Sequence, residues 1–271
     1  MTVIAVGNQA GSAGKTTLVV NVGARLAQLG HRVRVIDLDA QGNASHWLGH
    51  PEPLPDDAGN VAPAGLGTYE LLFDGAAILA TERPVEELDT LTVVPSHPTR
   101  MEGADVELSK VLGGEQRLRM ALQAAVDDAD VVTLLDCPGS LGTLTVSALV
   151  AADVAVTVFA PAEKEAGGVG KFEATIETVA KAYNPQLRLV AAAPSIVPSA
   201  GSYYRDVLDQ VRSAWGGIVT PAVRRSVRVP EAYSAQMPLC LYGPDEPVTA
   251  DVAAVVEHLQ TAGVVGLGAA R

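Results

Sequence analysis

An apolar run, a glycine-rich turn and a helical pattern follow one another without a gap in "TVIAVGNQAGSAGKTTLVVNVGARLAQLG", residues 2–30. Few architectures accept that order. A strand buried on both faces feeds a helix that packs back on the same sheet, which opens a βαβ unit. The alternation continues: strands at "RVRVIDLD", "LTVVPSH", "ADVVTLLDCPG", "DVAVTVFAP", "LRLVAAAPS" and "GIVTPAVR" are separated by helical patterns. Those helices are read at residues 101–127, at "FEATIETVAKAYN", "SYYRDVLDQVRSAW" and "VTADVAAVVEHLQTAG", with a short one in "TYELLFDG" and Gly30 ending the first. The fold class expected is α/β, a doubly wound, mostly parallel sheet flanked by helices. A Pro/Gly/Asp-rich stretch at about 51–67 reads as a surface excursion, and no linker divides residues 1–271, so one domain is expected.

With 48% hydrophobic but only 4% aromatic residues, the core has to be built from Ala, Val and Leu. No apolar run reaches the ~18 residues of a membrane span, no signal peptide is visible, and Cys137 and Cys240 are too few for a disulfide framework. A cytoplasmic setting is expected. The net charge of −12 argues against a general affinity for nucleic acid. The window from Arg205 to Arg228 runs the other way: Arg205, Arg212, Arg224, Arg225 and Arg228 against Asp206 and Asp209 give +3, leaving −15 for the rest.

Glycines let successive N–H groups turn toward a phosphate, and a helix N-terminus adds its positive dipole. In "GNQAGSAGKTT", Lys15 is placed to reach the terminal phosphates of a nucleotide and the Thr16 hydroxyl to ligate Mg²⁺. The common pattern G-x-x-x-x-G-K-[ST] nevertheless fails, because Gln9 stands where its first glycine belongs. Carboxylates end two further strands: Asp37 and Asp39 in "VIDLDAQGNA", and Asp136 in "VVTLLDCPGSLG". That is the edge where open α/β sheets bind ligands, and Asp136 sits where a Mg²⁺-side carboxylate is needed. Strand-end Asp also forms turns and caps, but three such segments together point to a nucleotide site. His46 and His50 flank Trp47 without a third ligand at a useful spacing and read as loop residues.

"NQAGSAGKTT", "VIDLDAQGNAS", "LLDCPGSLG" and "VRVPEAYSAQMPLCLYGP" resemble the deviant-Walker ATPases of the ParA/MinD superfamily, and most of all ParA (Soj-like) partition ATPases. "TYELLFDG" and "LTVVPSH" fall at their expected places, so the likeness spans nearly the whole chain. That family's loop lacks the first glycine of the common pattern. The resemblance implies ATP and Mg²⁺ as cofactors, slow partner-stimulated hydrolysis, an ATP-dependent homodimer, nonspecific DNA binding on the nucleoid, and a ParB-like or other cargo adaptor. It implies a phosphate loop of Gly11, Ser12, Ala13, Gly14, Lys15, Thr16 and Thr17, with Lys15 also counted as catalytic. Asp39 matches the carboxylate that positions water, and Asp136 the Walker B aspartate. Asp37 is expected in the Mg²⁺ shell beside Thr16 and Asp136, and the five arginines on the DNA face.

Four positions depart from the family pattern: Ala10 replaces its signature lysine, Ser12 a glycine, and Ala40 and Gly139 prolines. The lysine normally reaches across the dimer to the partner's phosphates, where charge-assisted bonds stabilise the transition state. Of the five lysines (15, 110, 164, 171 and 181), Lys164 stands just after a strand at the carboxyl edge and is the candidate replacement, a catalytic cation supplied in trans; a solvated lysine between Glu163 and Glu165 is the other reading. Because McdA-group ATPases, which distribute carboxysomes, also lack the lysine, an McdA-like role stays open, as does a nonhydrolysing nucleotide-dependent binding module. A MinD-like membrane ATPase needs a basic amphipathic C-terminus that "TAGVVGLGAAR" does not provide, so no membrane partner is expected. A nitrogenase-iron-protein relative needs cluster cysteines, and a dethiobiotin-synthetase-type ligase leaves "VRVPEAYSAQMP" unexplained.

Overall fold

The computed structural model describes residues 1–9, 13–55, 62–125, 130–161 and 163–266, the last from 163 to 168 by backbone alone. Seven strands, β1 (Thr2–Gly7), β2 (Arg32–Asp37), β3 (Arg83–Val85), β4 (Leu88–Val94), β5 (Val131–Asp136), β6 (Val154–Phe159) and β7 (Leu189–Pro194), form one sheet in the order β3-β4-β2-β5-β1-β6-β7. All neighbours run parallel except the edge pair β3·β4. The doubly wound reading holds: from β1 the sheet grows through β5, β2 and β4 on one side and through β6 and β7 on the other. Every residue of β5 and β6 is buried, as a sheet covered on both faces requires.

Against one face lie α1 (Lys15–Gln28), α2 (Asn43–Trp47), α10 (Arg228–Ser234), α11 (Leu239–Tyr242) and α12 (Pro247–Thr261). Val19, Val22 and Leu26 of α1 pack there with Val33, Val35, Val255 and Leu259. Against the other lie α3 (Ile78–Thr81), α4 (Pro98–Met101), α5 (Ala104–Lys110), α6 (Arg117–Gln123), α7 (Thr143–Ala151) and α8 (Glu163–Ala182). Leu108, Leu118, Leu144, Leu149 and Phe172 fill that side against Ile36 and Leu135. A small third cluster of Phe159, Leu208 and Val211 seats α9 (Ser202–Trp215). Branched and short aliphatics do most of the packing, as the low aromatic content demands.

Three local expectations need correction, and a fourth, the short helix in "TYELLFDG", is met in π form. Residues 101–127 do not make one long helix: Gly103 and Gly113, at φ 78° and 68°, break the stretch into α4, α5 and α6. "GIVTPAVR" is no strand; it makes only isolated bridges, Ala192 to Val219 and Val197 to Arg224, because Pro221 removes a donor. "TYELLFDG" holds a π-helical turn, Glu70–Asp74, closed by Gly75. The helix at "FEATIETVAKAYN" begins earlier, at Glu163, so the backbone of Lys164 lies in the first turn of α8 and Lys171 lies inside the helix. The edge strand β3 was not foreseen; with three residues and a central Pro84 it is blunted against further pairing.

Candidate functional site

β1 ends at Gly7 in the middle of the sheet, and α1 starts at Lys15 beside it. Gly14, at φ 88° and ψ 23°, is left-handed and caps α1 with no side-chain bond. A Cβ there would lie 2.5 Å from Ser195 Oγ, so only glycine brings the helix start this close to the β7 loop. No acidic residue occupies the first turn of α1, which leaves the N-terminal N–H groups and the helix dipole to an anion. Lys15 is buried at this entrance. Gly11 and Ser12, expected in the same loop, and Ala10 lie outside the described residues, as does the side chain of Lys164.

The strand-end carboxylates converge as expected. β2 and β5 are neighbours in register, with Asp37 opposite Asp136, and both residues are completely buried. Asp136 Oδ2 accepts a 2.7 Å hydrogen bond from Thr16 Oγ1, while its Oδ1 is buried with no partner among the described residues. Burial first, then the neighbouring Asp37 charge, holds the Asp136 carboxyl well above the ordinary range. Burial likewise raises Asp37 from 3.8 to about 7, opposed by its bonds from Ser45. An orphaned carboxylate oxygen, a hydroxyl beside it and two buried acids are a setting that a divalent cation would relieve. Among the described residues no three His, Cys, Asp or Glu side chains cluster as a metal cage. That donor set suits Mg²⁺, which keeps waters and takes phosphate oxygens.

Asp37, expected in the Mg²⁺ shell, is braced by the protein. Its Oδ2 accepts from Ser45 N (2.8 Å) and Ser45 Oγ (2.7 Å), and its Oδ1 from Asp39 N (3.1 Å). Both oxygens of Asp37 thus carry protein hydrogen bonds, while the open carboxylate oxygen is Asp136 Oδ1, beside Thr16. Asp39 lines the cavity instead. Its Oδ1 accepts from Gln41 N at 3.0 Å, and its Oδ2 has no protein partner among the described residues.

The cavity measures about 650 Å³ and is lined by Ala13–Thr17, Asp39, Gln41, Asn43 and Gly139 on its polar side. Ile196, Val229, Pro230, Trp47 and Tyr233 supply the apolar side, a size and mix suited to a nucleotide. Sequence reasoning missed Ile196, Val229 and Pro230, which arrive from the β7 loop and α10. Ile196 carried one signal, visible only in the backbone: φ of 55° is unusual for a β-branched residue and marks a constrained loop. Tyr233 ties α10 to α2, with its hydroxyl 3.0 Å from Asn43 Oδ1 and its ring tilted against His46 at 4.6 Å between centroids. Both cysteines are buried, and burial raises both thiols, Cys240 to about 11; they are inert packing residues.

The five arginines do not form one free patch. Arg224 makes a bidentate pair with Asp251, at 2.6 and 2.8 Å, and Arg228 pairs with Glu246 (2.9 Å) and Glu231 (2.8 Å). Arg212 meets Asp209 in an exposed pair on α9. Arg205 and Arg225 are exposed without an ion pair among the described residues. Acids of the fold thus offset Arg224 and Arg228.

A mostly parallel sheet, an inner strand followed by a helix that starts at Gly14-Lys15-Thr16, and acids on two neighbouring strand ends define a P-loop nucleotide hydrolase. Residues 1–189 match a family model described as an AAA domain. The chromosome partitioning protein ParA of Caulobacter vibrioides is 35% identical over 245 residues, covering 89% of this chain and 86% of that protein. A solved structure titled cobyrinic acid a,c-diamide synthase from Mycobacterium smegmatis, with bound ADP and magnesium, is 33% identical, covers 87% of this chain and 92% of its own, and superposes with a TM-score of 0.72. Apo McdA of Cyanothece superposes at 0.82 over 96% of this chain and 99% of its own; at 18% identity it shares the fold. The chain belongs to the ParA/MinD superfamily of ATPases and is of the ParA type. No helix among the described residues is long and apolar enough to cross a membrane.

Proposed function

We propose that this chain binds ATP with Mg²⁺, closes into a nucleotide sandwich dimer, binds DNA without sequence preference in that state, and so positions a plasmid or chromosome with a partner that stimulates slow hydrolysis. The observation that carries this reading is the Thr16–Asp136 pair, with its orphaned Oδ1, set beside left-handed Gly14, buried Lys15 and the half-engaged carboxylate of Asp39. The relative that is 33% identical holds ADP and magnesium, which supports the same ligands here. Lys15 and the first N–H groups of α1 hold the terminal phosphates. Ile196, Val229 and Pro230 offer the base an apolar seat. Thr16 and Asp136 hold the metal, which when bound neutralises phosphate charge. Asp39 keeps one oxygen fixed and turns the other to the attacking water. Lys164, at the start of α8 on the same edge, is the residue we assign to the partner's phosphates in place of the absent lysine. Arg205 and Arg225 carry the charge for DNA.

The name of the Mycobacterium relative supports a second reading, an ATP-dependent amide-forming synthase, in which turnover needs an acid co-substrate. Trapping the ATP state separates the two. Asp39→Ala, incubated with ATP and Mg²⁺, should run as a dimer in light scattering and retard random-sequence DNA, while ADP leaves a monomer. A monomer that ignores DNA at saturating ATP overturns the partition reading and leaves the synthase or a nonhydrolysing module.

A further inference from the structure

The segments "TYELLFDG" and "LTVVPSH" do not line the nucleotide cavity, yet each delivers one buried hydroxyl to the end of β2. Thr68 Oγ1 donates to the Asp37 carbonyl at 2.7 Å, and Ser96 Oγ donates to the Asp39 carbonyl at 2.7 Å. Ser96 N also donates to Ser45 Oγ (2.8 Å), and that hydroxyl passes its own proton to Asp37 Oδ2 (2.7 Å). Asp37 Oδ1 then takes the Asp39 N–H, and Leu38 N donates to the Asp136 carbonyl at 3.0 Å. The peptide N–H and C=O of Asp39 are therefore both held by buried side chains, and Thr68, Ser45, Ser96 and Asp37 are at most 0% exposed. The two segments are locked to each other as well: Thr68 N donates to the Pro95 carbonyl at 2.9 Å, and a Cβ on Gly67 would lie 2.3 Å from that oxygen.

We infer that Thr68, Ser45 and Ser96 form a positioning frame that sets the direction of the Asp39 carboxylate for hydrolysis. An isolated strand end would leave the Asp39 peptide free to swing on its φ and ψ. Fixing both peptide groups and one carboxylate oxygen confines Oδ2 to one direction, which is what a water-orienting residue needs. The frame does not touch nucleotide, so its loss should reach turnover and spare binding.

The inference rests on the ATPase reading, and two measurements keep the two apart. Ser96→Ala should lower kcat roughly tenfold, short of the hundredfold that a displacement of a full ångström costs, with the Kd for Mg-ATP within about twofold of wild type. Thr68→Val should do the same more weakly, and Thr68→Ser, which keeps the hydroxyl, should restore wild-type turnover. Equal turnover in Ser96→Ala and wild type, or losses shared equally between kcat and binding, would overturn the frame. The second measurement, amide hydrogen exchange on the protein without nucleotide, does not depend on hydrolysis. The Asp39 and Gln41 N–H groups should exchange at least about tenfold faster in Ser96→Ala while β5 and β6 stay protected. Unchanged exchange at those two amides overturns the frame even if the wild type hydrolyses nothing; faster exchange in Ser96→Ala, with no turnover in the wild type, upholds the frame and overturns only the ATPase reading.

Discussion

Gly142 offers a test of packing next to the site. It begins α7 without a side chain of its own to cap the helix, and the cap comes from α5: Asp105 Oδ1 accepts the Leu144 N–H at 2.8 Å. A Cβ on Gly142 would lie 2.1 and 2.5 Å from the two Asp105 carboxylate oxygens, which no real side chain tolerates. Gly142→Ala therefore expels the carboxylate, losing a cap worth about 1 kcal/mol and adding overpacking of about 1–3 kcal/mol. At about 2–4 °C per kcal/mol for a chain of this size, Tm should fall by roughly 4–16 °C. Asp105→Ala alone removes only the cap. In the double variant the methyl enters the space the carboxylate left, so the pair should cost little more than Asp105→Ala, a coupling about equal to the whole cost of Gly142→Ala, about 2–4 kcal/mol. Denaturant unfolding of the four proteins measures it directly. Effects that add within about 0.5 kcal/mol would refute the argument. Because Gly139 of the same loop lines the nucleotide cavity, nucleotide binding should weaken in Gly142→Ala and recover in the double variant.

Other outcomes follow from the charges. Asp37 stays protonated in the folded chain up to about pH 7 because it is buried, while the unfolded chain loses that proton near 3.8. The folded state thus binds more protons across that window, and the nucleotide-free protein should lose stability as pH rises from about 4 to 7; thermal melts of wild type and Asp37→Asn should show the slope flattening in the variant. Arg225→Glu should reduce the affinity for DNA and lower the salt slope by about one unit, whereas Arg224→Glu, whose charge Asp251 already offsets, should do less; gel shifts across a salt series rank them, and the reverse ranking would move the interface. Lys164→Ala should weaken the ATP dimer about ten- to a hundredfold, the loss of a charge-assisted contact of about 1.5–3 kcal/mol, with nucleotide binding by the monomer unchanged; sedimentation with ATP measures it.

Much of the fold could be read because its signals are local. Strands β1, β5, β6 and β7 are mostly apolar runs and β2 alternates Arg with Val before Ile36, and Asp37, Asp39 and Asp136 stand at their ends where the chain must turn. The phosphate-binding start of α1 announces itself by glycines before a lysine and two threonines. What escaped was set by tertiary contacts. Asp37 and Asp136 look alike in sequence, yet Ser45, eight residues on, occupies one of them while Thr16, from another element, leaves an oxygen of the other open. Arg224 reads as a free cation until Asp251, 27 residues later, packs beside it. The apolar seat of Ile196, Val229 and Pro230 comes from two loops with no shared periodicity. Gly103 and Gly113 were visible in residues 101–127, but glycine inside a helical pattern is also tolerated, and only the backbone shows these two in left-handed turns.

The account stands on hydrolysis directed by Asp39 at a nucleotide held by Lys15. Phosphate release and equilibrium binding of Mg-ATP, measured on the same samples of wild type, Asp39→Ala and Lys15→Ala, address it most directly. The account predicts turnover in wild type only, wild-type ATP affinity in Asp39→Ala, and no binding in Lys15→Ala. Equal rates of phosphate release in wild type and Asp39→Ala would contradict it.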